Sequence, residues 1–567
     1  MFRRLRLSRR LASTASATVA VVLWLVYSVP PSRVTNNSSL SGGHIARGVV
    51  HVHSQQSDGG GTIVEIAEAA REVGLDFVVV TDHGNGTRGT RSRYYEDILI
   101  VEGVEISTSG GHYIAVGHEA TPYPLGGDAK GVVEDVRRFG GLGIVAHPNS
   151  ARPELRWKDL TLPVDGVEWI NGDSQWRGSG LLAFAKAVTW YWLKPTESLG
   201  MLLRRPTQTM NEWLNRQVFG VGGVDAHARL LFGKGGERTA DSLAFSLPSY
   251  ETMFGLFDVR VSLDEPLSGF ADRDALILLE RLKKGRSYIV VDAYGEPGNF
   301  EFFAKRPDSG ELVQMGDVVE QGSSLTFTAR IAGATEVVIR LLRDGIVLKE
   351  KRSTELKYSG DDFQLEREDS RRGEVFWVEI FRSDVPWMPW IISNPIRVED
   401  KASFVETSNG GADGGAEPLL SNSWFVERST EAEASGFSRS GGFVMNYKLG
   451  EVDTAYVAAV HDIAEAVSEG AVRLSVATDK PMRLSLQLRD NEGKDSRWRS
   501  SFFVDTELRE INIPLAEFSA VTDKLPEAVP VNAIDDLLVV VDRVNAMPGS
   551  SGSIQIGTLV SGAEGER

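Results

Sequence analysis

Between Gly48 and Val224 the chain alternates short apolar runs with amphipathic stretches. Gly48–Val52, Phe77–Val80, Ile98–Ile106, Tyr113–Val116, Gly143–Ala146, Gly166–Ile170 and Phe219–Val224 are apolar runs of strand length. Phe77–Val80 is apolar at every position, the mark of a strand buried on both faces. Between the first two runs, Thr62-Ile-Val-Glu65 forms a capping box, in which threonine and glutamate satisfy each other's free backbone donors. It opens a helix whose apolar positions are Ile63, Ile66, Ala67, Ala70 and Val73, and Gly74 stops it. A second helix fits Gly131–Phe139. Strands alternating with helices predict a parallel sheet. About seven strands in ~180 residues predict an α/β barrel smaller than the eightfold one.

Trp176 to Gln217 is a long insert rich in Trp, Leu and Arg, with helical character. Its Trp190, Tyr191 and Trp192 suit either packing or a pocket mouth. A helix at Asp274–Lys284 and a strand at Ser287–Val291 follow. From Phe300 to Val398 period-two alternation dominates, as in Leu325-Thr-Phe-Thr-Ala-Arg and Val375-Phe-Trp-Val-Glu-Ile, with Asp344-Gly345 as a hairpin turn. The last unit alternates in the same way at Val472–Val476 and Met482–Leu488. The expected fold class is α/β: a distorted seven-stranded barrel followed by two β-sandwiches, the second a jelly roll of galactose-binding-like pattern. The boundaries read from this are an N-terminal segment 1–31, a linker 32–45, the barrel 46–297, a β-sandwich 298–400, a linker 401–421 and the last domain 422–562.

At 567 residues the chain is too long for one core. A net charge of −17 argues against non-specific nucleic-acid binding. Without cysteine there are no disulfides and no thiolate ligands, which leaves imidazole, carboxylate and water for any metal. Arg3, Arg4, Arg6, Arg9 and Arg10 precede the apolar run Ala17–Val29, a basic region followed by a hydrophobic one. The run is short of the ~20 residues of a comfortable span, but Trp24 and Tyr27 stand where interfacial aromatics belong. The expectation is an uncleaved signal anchor, with a cleaved signal peptide as the alternative. Either places the rest of the chain outside the cytoplasm, in the periplasm or at the cell surface, in contact with the membrane through this segment.

Seven of the nine histidines fall between His51 and His227, most of them inside short motifs. These are His51-Val-His53, Ser57-Asp58-Gly59, Thr81-Asp82-His83, Gly103-Val-Glu105, His112, His147-Pro148 and Asp225-Ala-His227. His51 and His53, two apart on a strand, share a face. His83, Glu105, His147, Asp225 and His227 stand at or near strand ends, which in an α/β barrel form one mouth. Neutral imidazoles mixed with carboxylates suit divalent ions. Nine candidates exceed one tetrahedral site and suit two or three ions sharing bridging carboxylates. Glu102 and Glu105 have opposite strand parity, so only one faces the mouth. Asp82 suits an orienting role. His118 reads as structural, and His44 and His461 as surface residues.

In this order the motifs resemble the polymerase and histidinol phosphatase (PHP) family, over roughly residues 45 to 295. The resemblance implies a distorted seven-stranded barrel with a trinuclear site. It implies His51, His53, Asp58, His83, Glu105, His112, His147, Asp225 and His227 as ligands of two or three Mn, Fe or Zn ions. Gly166-Val-Glu-Trp-Ile-Asn171, the Trp-rich insert, Gly223–Ala228 and Pro389–Pro395 look like the carbaryl-hydrolase-like branch of that family. The amidohydrolase superfamily also opens with His-x-His, but it needs a bridging lysine on a middle strand, and none stands at a suitable strand end here.

The expected activity is a metal-dependent phosphoesterase in which metal-bound hydroxide is the nucleophile. The alternatives are carbamate, ester or amide hydrolysis at the same site, or a non-catalytic envelope-binding module. Arg88, Arg91 and Arg93 after the second strand, Arg177 in the insert, and Asn171 are candidate substrate contacts. The expected substrate is a small molecule or an envelope-derived fragment. In the last domain Trp424 and Trp498 could stack on a glycan, although core packing fits them better.

Overall fold

The computed structural model describes residues 16–35, 43–232, 243–245, 247–320, 325–333, 337–359, 373–399, 424–439, 442–462, 470–490, 496–522 and 524–560. The basic segment Arg3–Arg10, half of the first linker and all of the second lie outside them.

Seven strands close a barrel: His44–Val52, Phe77–Val80, Ile98–Glu102 continuing as Val104–Thr108, Gly111–Val116, Leu142–Val145, Gly166–Asn171 and Phe219–Ala226. His44–Val52 lies between Phe77–Val80 and Phe219–Ala226 and runs parallel to both. The third strand bends at Gly103. Its first half pairs with Phe77–Val80 and its second with Gly111–Val116, and a bridge between His83 and Glu105 closes the gap.

The sheet is not wholly parallel as expected. Gly111–Val116 runs antiparallel to both neighbours. Only Ser109 and Gly110 separate it from Thr108, and a parallel crossover needs a dozen or more residues. The reversal brings the start of this strand, and with it His112, to the mouth where the parallel strands end.

The helix Ile63–Glu72 carries the capping box, with Glu65 N donating to Thr62 Oγ1 at 3.2 Å and Thr62 N to Glu65 Oε2 at 2.7 Å. Asp128 caps the next helix, Ala129–Arg138, through Gly131 N at 2.6 Å. The insert folds as Gly172–Arg177, Leu181–Trp190, Pro195–Gly200 and Thr207–Trp213. Trp213 is fully buried, whereas Trp192 is 78% exposed, so it neither packs nor lines the mouth.

The first β-sandwich is not a separate body. The near half of His44–Val52 pairs with Asp258–Leu263, which leads through Ser287–Val290 and Ile391–Ser393 to Glu374–Arg382 and Val337–Arg343. One sheet of the sandwich therefore continues the barrel wall. Asp344 and Gly345, at φ 50° and 87°, make the expected hairpin turn there. The opposing sheet holds Phe300–Lys305 and Thr326–Ile331, and the stacked rings of Phe302, Phe327 and Phe376 fill the space between.

The last unit is an antiparallel sandwich of a six-stranded and a five-stranded sheet. It sits on the barrel helix Ala129–Arg138. Arg483, buried, donates to Asp135 at 2.7 and 3.0 Å and to Glu134 at 3.0 Å. Ser501 bonds the capping Asp128, and Arg138 lies 3.9 Å over the Phe503 ring. Trp498 is a core residue whose Nε1 donates to Pro526 O, and Trp424 packs on Phe443 and His461, so neither offers a free sugar platform. His461, read as a surface residue, is 6% exposed because its strand is central enough to be covered by Trp424.

Candidate metal centre

Glu105 is the hub. Its Oε2 lies 3.2 Å from both His51 Nε2 and His53 Nε2 and 3.3 Å from His83 Nδ1. Its Oε1 lies 2.6 Å from His112 Nδ1 and 2.9 Å from His147 Nε2. One carboxylate thus faces five imidazoles, the placement of a bridging ligand. Two further carboxylates flank it. Asp225 Oδ1 is 3.5 Å from His51 Nε2 and from His227 Nδ1. Asp58 reaches His53 Nδ1 at 3.3 Å and His227 Nε2 at 3.2 Å.

Four donor sets emerge: His53, Asp58, His83, His227; His51, His147, Asp225; His51, His53, Glu105; and His83, Glu105, His112. Within each, the potential ligand atoms lie within 4.8 Å of one another. Together these sets contain all nine residues of the motif pattern. His118 stands apart, buried, with Nδ1 on Glu119 O. Glu102 turns outward to Arg93, while Glu105 is 1% exposed, as opposite parity requires.

The backbone is bent to make this convergence. His51, His147 and Asp225 adopt φ of 69°, 29° and 51°. The left-handed region is uncommon for non-glycine residues and clusters at functional sites. His51 is an extra residue in the pairing with Phe77–Val80, where the register skips from Val50 to Val52. A bulge re-aims a side chain, so simple alternation does not account for His51 and His53 meeting Glu105 together. Glycines clear the space: a Cβ on Gly59 would sit 2.1 Å from His53 O, and one on Gly223 would sit 1.7 Å from Glu168 Oε1.

Glu168 is the residue that motif reading passed over. It is 1% exposed, and its Oε1 lies 2.6 Å from His51 Nδ1. Its Oε2 accepts from His147 N at 2.6 Å and Asn171 Nδ2 at 2.9 Å. A proton held on His51 Nδ1 leaves the Nε2 lone pair directed at the centre, the usual service of an outer carboxylate. In sequence it stands as a charge inside the apolar stretch Gly166–Asn171, outside the metal-ligand motifs. Asn171 also donates to Asp225 Oδ2 at 3.2 Å and caps the next helix through Ser174 N, so its amide is engaged in positioning the centre's carboxylates and the following helix. Asp82 accepts from Ser54 N, Ser54 Oγ and Ser57 Oγ at 2.8, 2.6 and 2.6 Å, which fixes the loop that carries Asp58.

The electrostatics are those of a cation site. Burial alone would raise the carboxyl of Glu105, yet His51, His112 and His147 hold it well below the ordinary range. Burial opposes charge on His53, but the neighbouring carboxylates of Asp225 and Glu105 outweigh it and carry the imidazole up to about 9. His53 Nε2 is buried and makes no hydrogen bond, although Glu105 Oε2 lies 3.2 Å away. A buried polar atom without a partner is costly, and a divalent ion would satisfy it. The residues present therefore fit the metals the motifs imply.

The centre opens into a cavity of about 700 Å³. Arg152, Arg177 and Arg229 line it beside an apolar wall of Leu155, Trp176, Pro248 and Met253. Arg177 is ion-paired with Asp173 and stacks on Trp176. Arg88 is not in the lining and bonds Gln56 instead. Arg91 and Arg93 lie on a strand, Arg91–Tyr95, that folds back outside Ile98–Glu102, so they too miss the mouth. Arg152 and Arg229 take the place that sequence distance gave to them.

No family model matches the chain, and no curated protein matches it. Several solved structures are similar at low identity. A two-domain protein of Bacteroides vulgatus containing a predicted PHP-like metal-dependent phosphoesterase is 14% identical, with TM-score 0.29, over 65% of this chain and 99% of that one. A protein of Bifidobacterium adolescentis proposed as a metal-dependent phosphoesterase is 13% identical, with TM-score 0.23, over 38% of this chain and 94% of that one. A family 11 carbohydrate-binding module of Clostridium thermocellum, in complex with a mixed-linked tetrasaccharide, is 15% identical, with TM-score 0.22, over 26% of this chain and 95% of that one.

Proposed function

We propose that this protein is a metal-dependent phosphoesterase whose centre holds two or three divalent ions on His51, His53, Asp58, His83, Glu105, His112, His147, Asp225 and His227. The observation that carries the reading is Glu105, a buried carboxylate set between five imidazoles, with Asp225 and Asp58 on either side. When bound, such ions act as Lewis acids toward a phosphoryl oxygen and acidify a water. The chain's own part is to fix the donors, through Glu168, Asn171 and Asp82, and to supply cations at the rim. Arg152, Arg177 and Arg229 can neutralise a phosphate, and a guanidinium matches its geometry with two parallel donors.

A second reading rests on the apolar wall. Trp176, Leu155, Pro248 and Met253 suit an aryl or alkyl leaving group, so the same centre could hydrolyse a carbamate, ester or amide. We place the protein outside the cytoplasm, held at the membrane by residues 17–29, on the strength of the basic and apolar N-terminal segments. The test is a substrate panel on metal-loaded full chain. An aryl phosphate turned over in preference to the matching aryl carbamate supports the first reading, and the reverse order supports the second. Loss of neither activity in His53→Ala would remove the centre from both.

A further inference from the structure

The surface around the insert carries a cluster of large apolar side chains that nothing in the described chain covers. Leu181, Leu182, Val188, Trp192 and Leu193 are 90, 56, 51, 78 and 76% exposed. Leu181, Phe184, Val188 and Trp192 recur at helical spacing and so share one face of Leu181–Trp190 and its continuation. Contiguous exposed apolar patches on soluble proteins mark interaction sites.

Three features select a lipid bilayer as the occupant. First, the helix that carries the face packs beside the apolar N-terminal helix. Residues 16–27 are helical, and Val19, Val22, Leu23 and Val26 are 57, 51, 63 and 69% exposed. Among the described residues no helix is long and apolar enough to cross a membrane, and the described part of this one measures about 18 Å. Second, the two helices are joined by specific bonds. Trp24 Nε1 donates to Thr189 Oγ1 at 3.0 Å, Trp190 Nε1 donates to Ser28 Oγ at 3.1 Å, and Lys186 Nζ lies 3.5 Å over the Tyr27 ring. Just beyond, Arg382 holds Ser32 O at 2.8 Å and Val34–Thr35 pair with Gly295–Glu296. The apolar helix therefore leaves the folded body at a fixed point, with the insert helix beside it. Third, residues 178–196 carry Lys186 and Lys194 and no acid, in a chain of net charge −17. A locally cationic, apolar stretch with Trp and Tyr at its edge has the composition of an interfacial helix.

We infer that the exposed face of Leu181–Leu193 is a membrane-contact surface that lies in the lipid headgroup region beside the N-terminal helix. The rim residues Trp176 and Arg177 precede Leu181 by no more than five residues, at most about 18 Å of chain, so the contact holds the cavity mouth close to the headgroups. The inference rests on the membrane placement proposed above and not on the hydrolase reading.

The absence of native cysteine allows single nitroxide labels on the full chain. Labels go to Leu181→Cys, Val188→Cys and Trp192→Cys, with Val22→Cys on the N-terminal helix and Leu508→Cys as an aqueous control, itself 51% exposed in the last domain. The protein is reconstituted into phosphatidylethanolamine–phosphatidylglycerol vesicles, and each label's collisions with oxygen and with a water-soluble nickel chelate are compared. The expected result is a several-fold higher oxygen-to-nickel ratio at 181, 188 and 192 than at 508. Equal ratios at all four overturn the inference, and Val22 then shows whether the N-terminal placement fails with it. Spin–spin broadening at 181 and 192 that grows with protein concentration and persists in vesicles also overturns it, in favour of a second copy on this face.

Discussion

Replacing Glu168 should weaken the metal centre without removing any of its nine candidate ligands. The Glu168 carboxylate is 1% exposed and takes three hydrogen bonds, from His51 Nδ1, His147 N and Asn171 Nδ2. Hydrogen bonds to a charged group are worth about 1.5–3 kcal/mol each, without simple additivity. Glu168→Ala leaves His51 Nδ1 and His147 N buried and unpaired and Asn171 Nδ2 with Asp225 alone, so a stability loss of about 3–5 kcal/mol is expected from the metal-free protein. Glu168→Gln keeps the volume but can turn an NH₂ toward His51 Nδ1, which favours the tautomer with its proton on Nε2, where the lone pair is needed. Losing such an outer partner typically costs about 10–100-fold in metal affinity, or about 1.4–2.8 kcal/mol. The assay is metal content by mass spectrometry after dialysis against metal buffers, with circular dichroism to establish folding. A folded Glu168→Gln protein with unchanged metal affinity would refute the reasoning.

Glu105→Gln should abolish tight metal binding while Glu102→Gln, whose side chain points to Arg93, leaves it intact; equal losses in both would contradict the parity argument. Metal-free stability should pass through a maximum in mildly acidic solution. The depressed carboxyls of Glu105 and Asp225 contribute above their ordinary values of 4.5 and 3.8 and lose that contribution as pH falls. The raised imidazole of His53 contributes below its ordinary 6.5 and loses it as pH rises through about 9. Metals need neutral imidazole, so the Tm gain on adding metal should grow from pH 6 to 9, and scanning calorimetry at fixed metal concentration would show a flat or falling gain if the cluster is structural only. Arg483→Ala should cost about 3–5 kcal/mol by stranding Asp135, itself 1% exposed; Arg483→Met with Asp135→Asn should recover most of that in chemical denaturation.

The seven barrel strands were legible because each is an apolar run bounded by a motif or a glycine. That the nine side chains meet at one mouth was legible too, since the motifs stand at strand ends and barrels gather strand ends. What escaped had weaker or non-local signals. The antiparallel strand depends on the short link Ser109-Gly110, which period-two alternation does not reveal. The bulge at His51 depends on a register that only the paired strands define. Glu168 belongs to none of the metal-ligand motifs and is recognisable as an outer carboxylate only once it is seen on His51. Arg152 and Arg229 reach the cavity because loops bring them there, whereas Arg91 and Arg93, close in sequence to His83, are carried to the outside by a hairpin. The join between barrel and sandwich is a continuous sheet, which composition does not distinguish from two domains in series.

The most direct test of the centre is the number of divalent ions that the purified full chain retains after dialysis, compared with His53→Ala. Two or three ions per chain, with fewer in the variant, are expected from the donor sets around Glu105, Asp58 and Asp225. No retained Mn, Fe or Zn, and no uptake when each is supplied, would contradict the account.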